Sequence, residues 1–399
     1  MFQLSLARAP INLMKFKVFI YLAAGLLLAV SCSKSPKTSP VTVPVTTIPG
    51  PLPSTVDKTD TLNIMAYNVL KYGDGCQGST DSLNVYLKTI IRYIQPDLFS
   101  FEKMAAFDPA ATGPENLAAN ITVNALDMVS PGKYAFATPT NLARATNMAV
   151  LFYNKPKLTY IKTETLEANV TDFDLYKLYY NDPNLSITHD TTYLYVLVNH
   201  TQSGSSSTIR DTQVSIEMQD LRSKFEYLPN LINMGDFNTH NSIEHGYQSI
   251  ITSPDTATKM SDPPFYPDNS VSYPAEWETN TISYASFLTT TTRALATVPN
   301  SCGTGDGAKS WYDHIFISPW LVNGTNYMHY IANSYKTTGN DGHRMGVDIN
   351  SASPVINTSA PAPVLSALFQ FSDKYPITIK LLVKANRNAY STADPRERN

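Results

Sequence analysis

Asp236 and Asn238 follow a short apolar run, residues 231–235, and are the side chains of this sequence best spaced to do chemistry. Gly235 at the end of the run permits a sharp turn or a close backbone approach. Side chains two residues apart in an extended chain point to the same side, so the carboxylate and the carboxamide can converge on one point. Such a pair suits an oxygen-liganded cation or a water that must be deprotonated. Asp and Asn are also common turn formers after a strand, so this spacing alone leaves both interpretations open.

Polar residues also stand at the ends of five other apolar runs that we predict to be strands. They are Asn68 in residues 62–70, Glu102 at the end of residues 97–102, His200 after residues 193–198, Asp313 in residues 311–318, and Asp373 with Lys374 before residues 377–383. Packing alone does not favour charged or amide side chains at the ends of buried strands. Apolar residues at helical spacing separate several of these runs, which predicts an α/β protein with the polar residues gathered at one rim.

Three segments carry no clear hydrophobic pattern: residues 105–145, 160–190 and 245–300. We predict the second to be an irregular insertion and the third to form loops around the rim, where specificity elements tend to lie. Five histidines lack the spacing of metal ligands and are predicted to be structural or surface residues: His189, His240, His245, His314 and His329.

Composition limits the class of protein. The chain has 399 residues, 43% of them hydrophobic, and a formal net charge of -3, which is typical of a globular protein. A large clamp for nucleic acid would need a basic surface, which this charge balance argues against. A phosphodiester substrate remains compatible with it, because bound cations can supply the positive charge.

Residues 1–31 are predicted to be a lipoprotein signal peptide. Lys15 and Lys17 precede an apolar run, residues 18–30, that is too short to span a bilayer comfortably. Residues 1–13 lack the form of a signal, so we expect translation to start at Met14.

Cys32 follows small residues in a pattern that resembles the lipobox of bacterial lipoproteins, in which this cysteine carries the lipid. A plain secretory signal is the alternative. Residues 32–60 are rich in Pro, Ser and Thr and are predicted to be an extended tether. We therefore expect a monomer anchored by lipid to a membrane of the bacterial cell envelope. In that oxidising compartment Cys76 and Cys302 form an even pair, and we predict a disulfide between them.

Five short motifs follow one another along residues 60–385. They are Tyr67-Asn68-Val69-Leu70, Gln95-Pro96-Asp97 with Glu102, Val198-Asn199-His200 with Ser203 and Arg210, Gly235-Asp236-Phe237-Asn238, and Tyr312-Asp313-His314-Ile315-Phe316. In this order they resemble the endonuclease/exonuclease/phosphatase family, which has the fold of deoxyribonuclease I. The resemblance implies a four-layer α/β/β/α sandwich, built as one domain over residues 61–385, with residues 386–399 as a tail.

The resemblance also implies a metal-dependent hydrolase of phosphodiester bonds, most simply a secreted or membrane-anchored nuclease acting on nucleic acid. Glu102, with Asn68 and Asp373, is expected to hold Mg²⁺ or Mn²⁺, and Asp236 is expected to activate the attacking water. The other implied roles are a hydrogen bond to phosphate for Asn238, proton donation to phosphate or the leaving oxygen for His200, and ordering of the site by hydrogen bonds for Asp313.

The closing motif departs from the family at one position. The family ends with Ser-Asp-His-x-Pro, but residues 372–376 read Ser-Asp-Lys-Tyr-Pro, so Lys374 stands where the catalytic histidine is expected to pair with Asp373. Lysine can donate a charged hydrogen bond to phosphate but is a poor proton shuttle near pH 7. A weaker match, residues 340–344, makes His343 a candidate accessory residue.

Three interpretations therefore stay open at this point. The first is a metal-dependent phosphodiesterase. The second is a phosphomonoesterase or a phosphodiesterase of lipid headgroups from the same family. The third is a lipoprotein that binds phosphate through the same cleft without turnover, because Lys374 has replaced the histidine.

Overall fold

The computed structural model describes residues 54–265, 277–278 and 281–387. The predicted signal peptide, Cys32, most of the tether and residues 388–399 of the tail lie outside these ranges. Within them, no helix combines the length and the apolar character needed to cross a bilayer.

Two mixed sheets form the centre of the fold. The strands are β1 (Thr59–Tyr72), β2 (Leu98–Ala105), β3 (Tyr134–Phe136), β4 (Asn147–Asn154), β5 (Leu158–Ala168), β6 (Asp172–Tyr180), β7 (Tyr193–His200), β8 (Leu231–Asp236), β9 (Asp313–Ile317), β10 (Met328–Tyr330), β11 (Lys336–Thr337) and β12 (Ile377–Lys384). One sheet has the order β10-β12-β1-β2-β4-β3 with β11 beside β12, and the other has the order β5-β6-β7-β8-β9. The pairs β1·β2 and β7·β8 are parallel, and the remaining pairs are antiparallel.

Helices join the strands. They are α1 (Thr80–Ile94), α2 (Leu117–Ile121), α3 (Asp127–Val129), α4 (Leu185–Thr188), α5 (Thr208–Lys224), α6 (His245–Ile251), α7 (Thr281–Tyr284), α8 (Pro319–Asn323) and α9 (Ala362–Phe371), with a π turn at Thr122–Leu126 and a 3₁₀ turn at Pro263–Phe265. Helix α1 begins after Ser79, whose side chain caps the N–H of Ser82, and it ends at Gln95, which is left-handed and precedes a proline.

Alternation along β1 divides the core into two clusters. Ile64 belongs to a cluster that contains Val196 and Ile232 of the second sheet, so this face lies between the sheets. Met65 points to the opposite face and belongs to the cluster that holds the apolar side chains of α1, α5 and α9. The predicted α/β/β/α sandwich is confirmed.

The predicted irregular insertion at residues 160–190 is wrong. Strands β5 and β6 form an antiparallel hairpin, and β6 continues the sheet to β7. The hydrophobic pattern of a strand was not recognisable here, because two of the buried residues of β6 are acidic, Asp172 and Asp174. Asp174 accepts hydrogen bonds from the N–H of Thr140 at 2.8 Å and from its hydroxyl at 2.7 Å, so a buried carboxylate is satisfied by a distant loop.

Cys76 and Cys302 are joined by a disulfide, with their Cα atoms 5.7 Å apart. The bond ties the loop after β1 to the segment before β9. Two residues further on, Thr304 donates from its N–H and its hydroxyl to Oδ2 of Asp373, at 2.8 and 2.9 Å. The disulfide therefore anchors the segment that orients Asp373.

Glu217 of α5 gives the folded protein a dependence on pH. It is fully buried and accepts hydrogen bonds from the amides of Asn233 and Asn199. Burial raises its pKa to about 8 from an ordinary 4.5, although the Asn233 hydrogen bond opposes the rise. The folded state then holds the proton more tightly than the unfolded state, so the free energy of unfolding falls as pH rises between these two values.

Glu217→Gln is expected to remove this slope, which for one proton is at most about 1.4 kcal/mol per pH unit. Urea unfolding followed from about pH 5 to about pH 8 measures it. The exposed Glu226→Gln serves as the control and should leave the slope unchanged. Parallel curves for wild type and Glu217→Gln would contradict the assignment.

Candidate active site

Asp236, the last residue of β8, is held by three polar groups. The amide of Asn68 donates to Oδ2 at 2.7 Å, and the backbone N–H of Asn238 donates to Oδ1 at 3.0 Å. The Lys374 ammonium lies 3.4 Å from Oδ2. Only 1% of Asp236 is exposed, so this buried carboxylate has a fixed orientation.

The strand register brings the other predicted residues to the same place. His200 lies beside Asp236 in the parallel pair β7·β8, and Asp313 lies beside it in the antiparallel pair β8·β9. Gly235 allows β8 to lie close to Asn199 of β7, because a Cβ at this position would lie 2.0 Å from the carbonyl oxygen of Asn199. In the other sheet Asn68 pairs with Glu102 across β1·β2, and its bond to Asp236 links the two sheets.

Asp236 and Lys374 form a charged pair. Burial would raise the pKa of Asp236, but the Lys374 ammonium and His200 outweigh it and hold the pKa at about 2. Burial would likewise lower the pKa of Lys374, but Asp236 and Asp313 raise it above its ordinary value. Both members are therefore ionised at neutral pH.

Among the described residues Lys374 forms its ion pair with Asp236, and Asp373 acts on it only at longer range. The ammonium donates to the hydroxyl of Thr290 at 2.7 Å, approaches Asp236, and lies 4.6 Å from the centre of the Tyr312 ring. Its close carboxylate partner is therefore Asp236 of β8.

Three buried carboxyl groups near Asp236 contain oxygens without a hydrogen-bond partner among the described residues. The unpartnered oxygens are Oε2 of Glu102, both carboxylate oxygens of Asp313 and Oδ1 of Asp373. Burial raises the pKa of Glu102 to about 8, opposed by a hydrogen bond from Ser100 and assisted by Asp236. Burial and Asp236 also raise the pKa of Asp313 well above its usual range. The side chain of Thr289 opposes this rise, and the ordering role expected of Asp313 stays a prediction.

The orphaned oxygens of Glu102 and Asp373 fit a divalent cation. Across residues 54–265, 277–278 and 281–387, no three His, Cys, Asp or Glu side chains group as a metal cage. Mg²⁺, however, is commonly bound by one or two carboxylates and completes its shell with water and substrate phosphate. Asn68, the third expected ligand, donates to Asp236, which it positions, and accepts from the N–H of Leu70 at 2.9 Å. Its part in metal binding stays a prediction.

His200 is neutral in this site. Burial lowers its pKa to about 4, with Lys103 and Lys374 assisting and Asp236 opposing. Its Nδ1 is buried and has no partner among the residues that the structure describes. Asn238, two residues after Asp236, has a left-handed backbone with φ 47°. Its side-chain amide donates to the carbonyl of Thr201 at 3.0 Å.

A cleft of about 430 Å³ is lined by His200, Asp236, Asn238, Asp373 and Lys374, whereas Asn68, Glu102 and Asp313 are not among its lining residues. The rest of its wall is rich in hydroxyl groups. Its charged and imidazole side chains are Lys103, His200, Asp236, His240, Asp306, Lys309, Asp373 and Lys374.

Four of these residues were not predicted from the sequence: Lys103, His240, Asp306 and Lys309. Lys103 follows the matched Glu102 but has a left-handed backbone, φ 59°, that its sequence does not indicate. Its ammonium forms no ion pair with any residue in the described part of the chain, and burial lowers its pKa, opposed by Asp373. His240 was predicted to be structural or on the surface, yet it lines the cleft.

His343 does not share this position. Its side chain is exposed and is not among the residues that line the cleft, and its backbone N–H bonds Asp341 at 3.0 Å. The structure gives no support to the predicted accessory role.

No family model matches the chain, and no curated protein matches it. Solved structures do resemble it. TDP2 of D. rerio, complexed with a single-stranded DNA product, is 12% identical, covers 81% of this chain and 99% of its own, and has a TM-score of 0.48. An endonuclease/exonuclease/phosphatase family protein of Bacteroides thetaiotaomicron is 13% identical, with coverages of 82% and 99% and a TM-score of 0.44. The mannosyl-6-phosphatase Bt3783 of Bacteroides thetaiotaomicron is 14% identical, with coverages of 80% and 99% and a TM-score of 0.44. At this identity the likeness concerns the fold.

Proposed function

We propose that this cleft hydrolyses phosphodiester bonds. The observation that carries the proposal is the oriented, ionised Asp236 in a cleft that also presents the ammonium groups of Lys103 and Lys374. An anionic phosphoester is drawn to such cations, and a fixed carboxylate can orient a water molecule against it.

The site residues have different roles in this proposed reaction. Asp236 accepts a hydrogen bond from the attacking water and orients it, and its low pKa makes orientation its main contribution. Lys103 and Lys374 balance the negative charge that develops on phosphate oxygens. His200 is neutral at pH 7 and adjoins Asp236 at the cleft wall, where its ring can hydrogen-bond the substrate.

Glu102 and Asp373 are the residues that would hold Mg²⁺ or Mn²⁺ through their unpartnered oxygens. When bound there, the ion would polarise the phosphate and neutralise part of its charge.

A second compartment favours a diester over a monoester. It has a volume of about 260 Å³ and shares Lys103, His200 and Ser203 with the main cleft. A diester carries a substituent on each side of phosphorus, and the two compartments give each substituent a place. Nucleic acid is the simplest polymer that contains phosphodiester bonds. The net charge of -3 favours contact with a short stretch of nucleic acid over binding along an extended basic surface.

Phosphate binding without turnover is the second candidate, and the Asp236–Lys374 ion pair favours it. A carboxylate neutralised by a buried ammonium is a weak base, and the histidine expected at this position could have exchanged a proton near neutral pH.

Hydrolysis assays separate these functions. Plasmid DNA, RNA, bis(4-nitrophenyl) phosphate and 4-nitrophenyl phosphate would be incubated with Mg²⁺, with Mn²⁺ or with EDTA, and Asp236→Ala would be the control. We expect metal-dependent cleavage of diesters that the control lacks. Cleavage of the monoester alone would support a phosphomonoesterase, and binding without cleavage would support the second candidate.

We also propose that Cys32 carries a lipid that anchors the domain to the cell envelope, on the lipobox-like sequence given above. Cys32→Ser is expected to move the protein from the membrane fraction to the soluble fraction. Unchanged membrane retention would argue against lipidation.

A further inference from the structure

Glu278 binds three groups on one wall of the cleft. Its Oε1 accepts from the hydroxyl of Ser310 at 2.7 Å and from that of Tyr312 at 3.0 Å, and it lies 3.1 Å from Nδ1 of His240. All three partners line the cleft, whereas Glu278 lies behind them in a neighbouring depression. Neither Glu278 nor His240 belongs to a motif that the proposed function uses.

Both ring nitrogens of His240 face acceptors. Nδ1 faces Glu278, and Nε2 lies 3.2 Å from the carbonyl oxygen of Gly204. A neutral imidazole has one N–H, so one of these contacts would set two lone pairs against each other. The imidazolium donates to both. The Glu278 hydrogen bond raises the pKa of His240, which burial and Arg210 oppose and Glu244 assists.

Tyr312 connects this cation to the proposed reaction centre. Its ring centre is 5.0 Å from that of His240 and 4.6 Å from the Lys374 ammonium. Two positive groups therefore stand against one tyrosine ring, and both line the same cleft.

We propose that His240 is a further anion-binding residue of the cleft, held as an imidazolium by Glu278. The inference rests on the proposed phosphate site, because the anion must enter the same cleft. Anion affinity is then greatest at low pH and falls as pH rises through the titration of His240.

The groups that face His240 do not account for this fall. Burial raises the pKa of Tyr312 to about 12, so it stays neutral. The His240 and Ser310 hydrogen bonds outweigh burial and lower the pKa of Glu278, so it stays charged. Glu244 is neutralised by Arg210, whose Nη2 lies 2.6 Å from its carboxylate. Glu102 does not line the cleft but also titrates in this range, and its effect on affinity remains when His240 is replaced.

Diethyl phosphate is the probe, because its single negative charge does not change across the range tested. Its affinity would be measured by calorimetry from about pH 5.5 to about pH 8.5 for wild type, His240→Gln and His245→Gln. His245 is the matched control: its Nδ1 lies 3.2 Å from the hydroxyl of Ser215, and it does not line the cleft.

We expect affinity to fall roughly tenfold in wild type and in His245→Gln, and much less in His240→Gln. In Glu278→Gln the fall should move to lower pH, together with the His240 resonance in carbon-13 NMR. Matching curves for wild type and His240→Gln would overturn the proposal. If Glu278→Gln does not fold, the His240→Gln comparison still decides. Absence of hydrolysis with His240-dependent binding would remove the proposed function and leave this inference standing.

Discussion

Asp236→Asn is expected to lower kcat/KM for bis(4-nitrophenyl) phosphate by about a hundred- to ten-thousandfold. The asparagine has nearly the same shape, but its one carbonyl oxygen can accept from only one of the two donors, the Asn68 amide or the Asn238 N–H. It removes the negative charge that orients water and leaves the Lys374 ammonium without its carboxylate. The loss should appear in kcat, because Asp236 is assigned to the reaction step rather than to substrate binding.

Asp306→Asn is the matched control for this measurement. Asp306 lines the same cleft, but its side chain is 69% exposed and its ammonium partner is the surface residue Lys309. Its replacement should change the rate by less than about threefold. A similar loss in both variants, or full activity of Asp236→Asn, would show that Asp236 has no special part in catalysis.

The sequence was a good guide where function is carried by strand ends. Apolar runs with polar termini located β1, β2, β7, β8, β9 and β12, and the strand register then brings Asn68, Glu102, His200 and Asp236 to one rim. This follows because residues at the same end of neighbouring parallel strands must meet.

The partners of these side chains were not predictable in the same way. Lys374 follows Asp373 in sequence, but the two sheets place its ammonium against Asp236. Oδ2 of Asp373 instead accepts a hydrogen bond from the N–H of Thr304, which lies in the loop near the disulfide. Such choices depend on packing between sheets, which hydrophobic periodicity does not describe.

His240 and Glu278 illustrate a second limit. They are 38 positions apart in the sequence, and they meet only because the loops after β8 and before β9 converge on the cleft wall. The loops between residues 245 and 300 carry no periodic signal, so their side chains could not be placed from the sequence. Lys103 could not be predicted for a different reason. The direction of its side chain depends on a left-handed backbone conformation, which a non-glycine residue rarely adopts.

Lys374→Met is expected to destabilise the folded protein by about 3–5 kcal/mol at neutral pH. The substitution keeps most of the side-chain volume but leaves Asp236 buried and ionised without its ammonium. Chemical unfolding measures the loss. Lys380→Met, at an exposed lysine of β12, is the control and should change stability by less than about 0.5 kcal/mol.

The double variant Lys374→Met with Asp236→Asn tests the cause. If the loss comes from an uncompensated carboxylate, removing both charges should recover most of it, giving a strong coupling in the double-mutant cycle. The pH dependence gives a second check. In wild type the lowered pKa of Asp236 adds stability above its ordinary value of 3.8, and this is lost as pH falls toward about 2. In Lys374→Met the carboxyl is instead stabilised by protonation, so the deficit should shrink on acidification. Equal losses for the single and double variants at every pH would show that Lys374 acts through packing rather than charge.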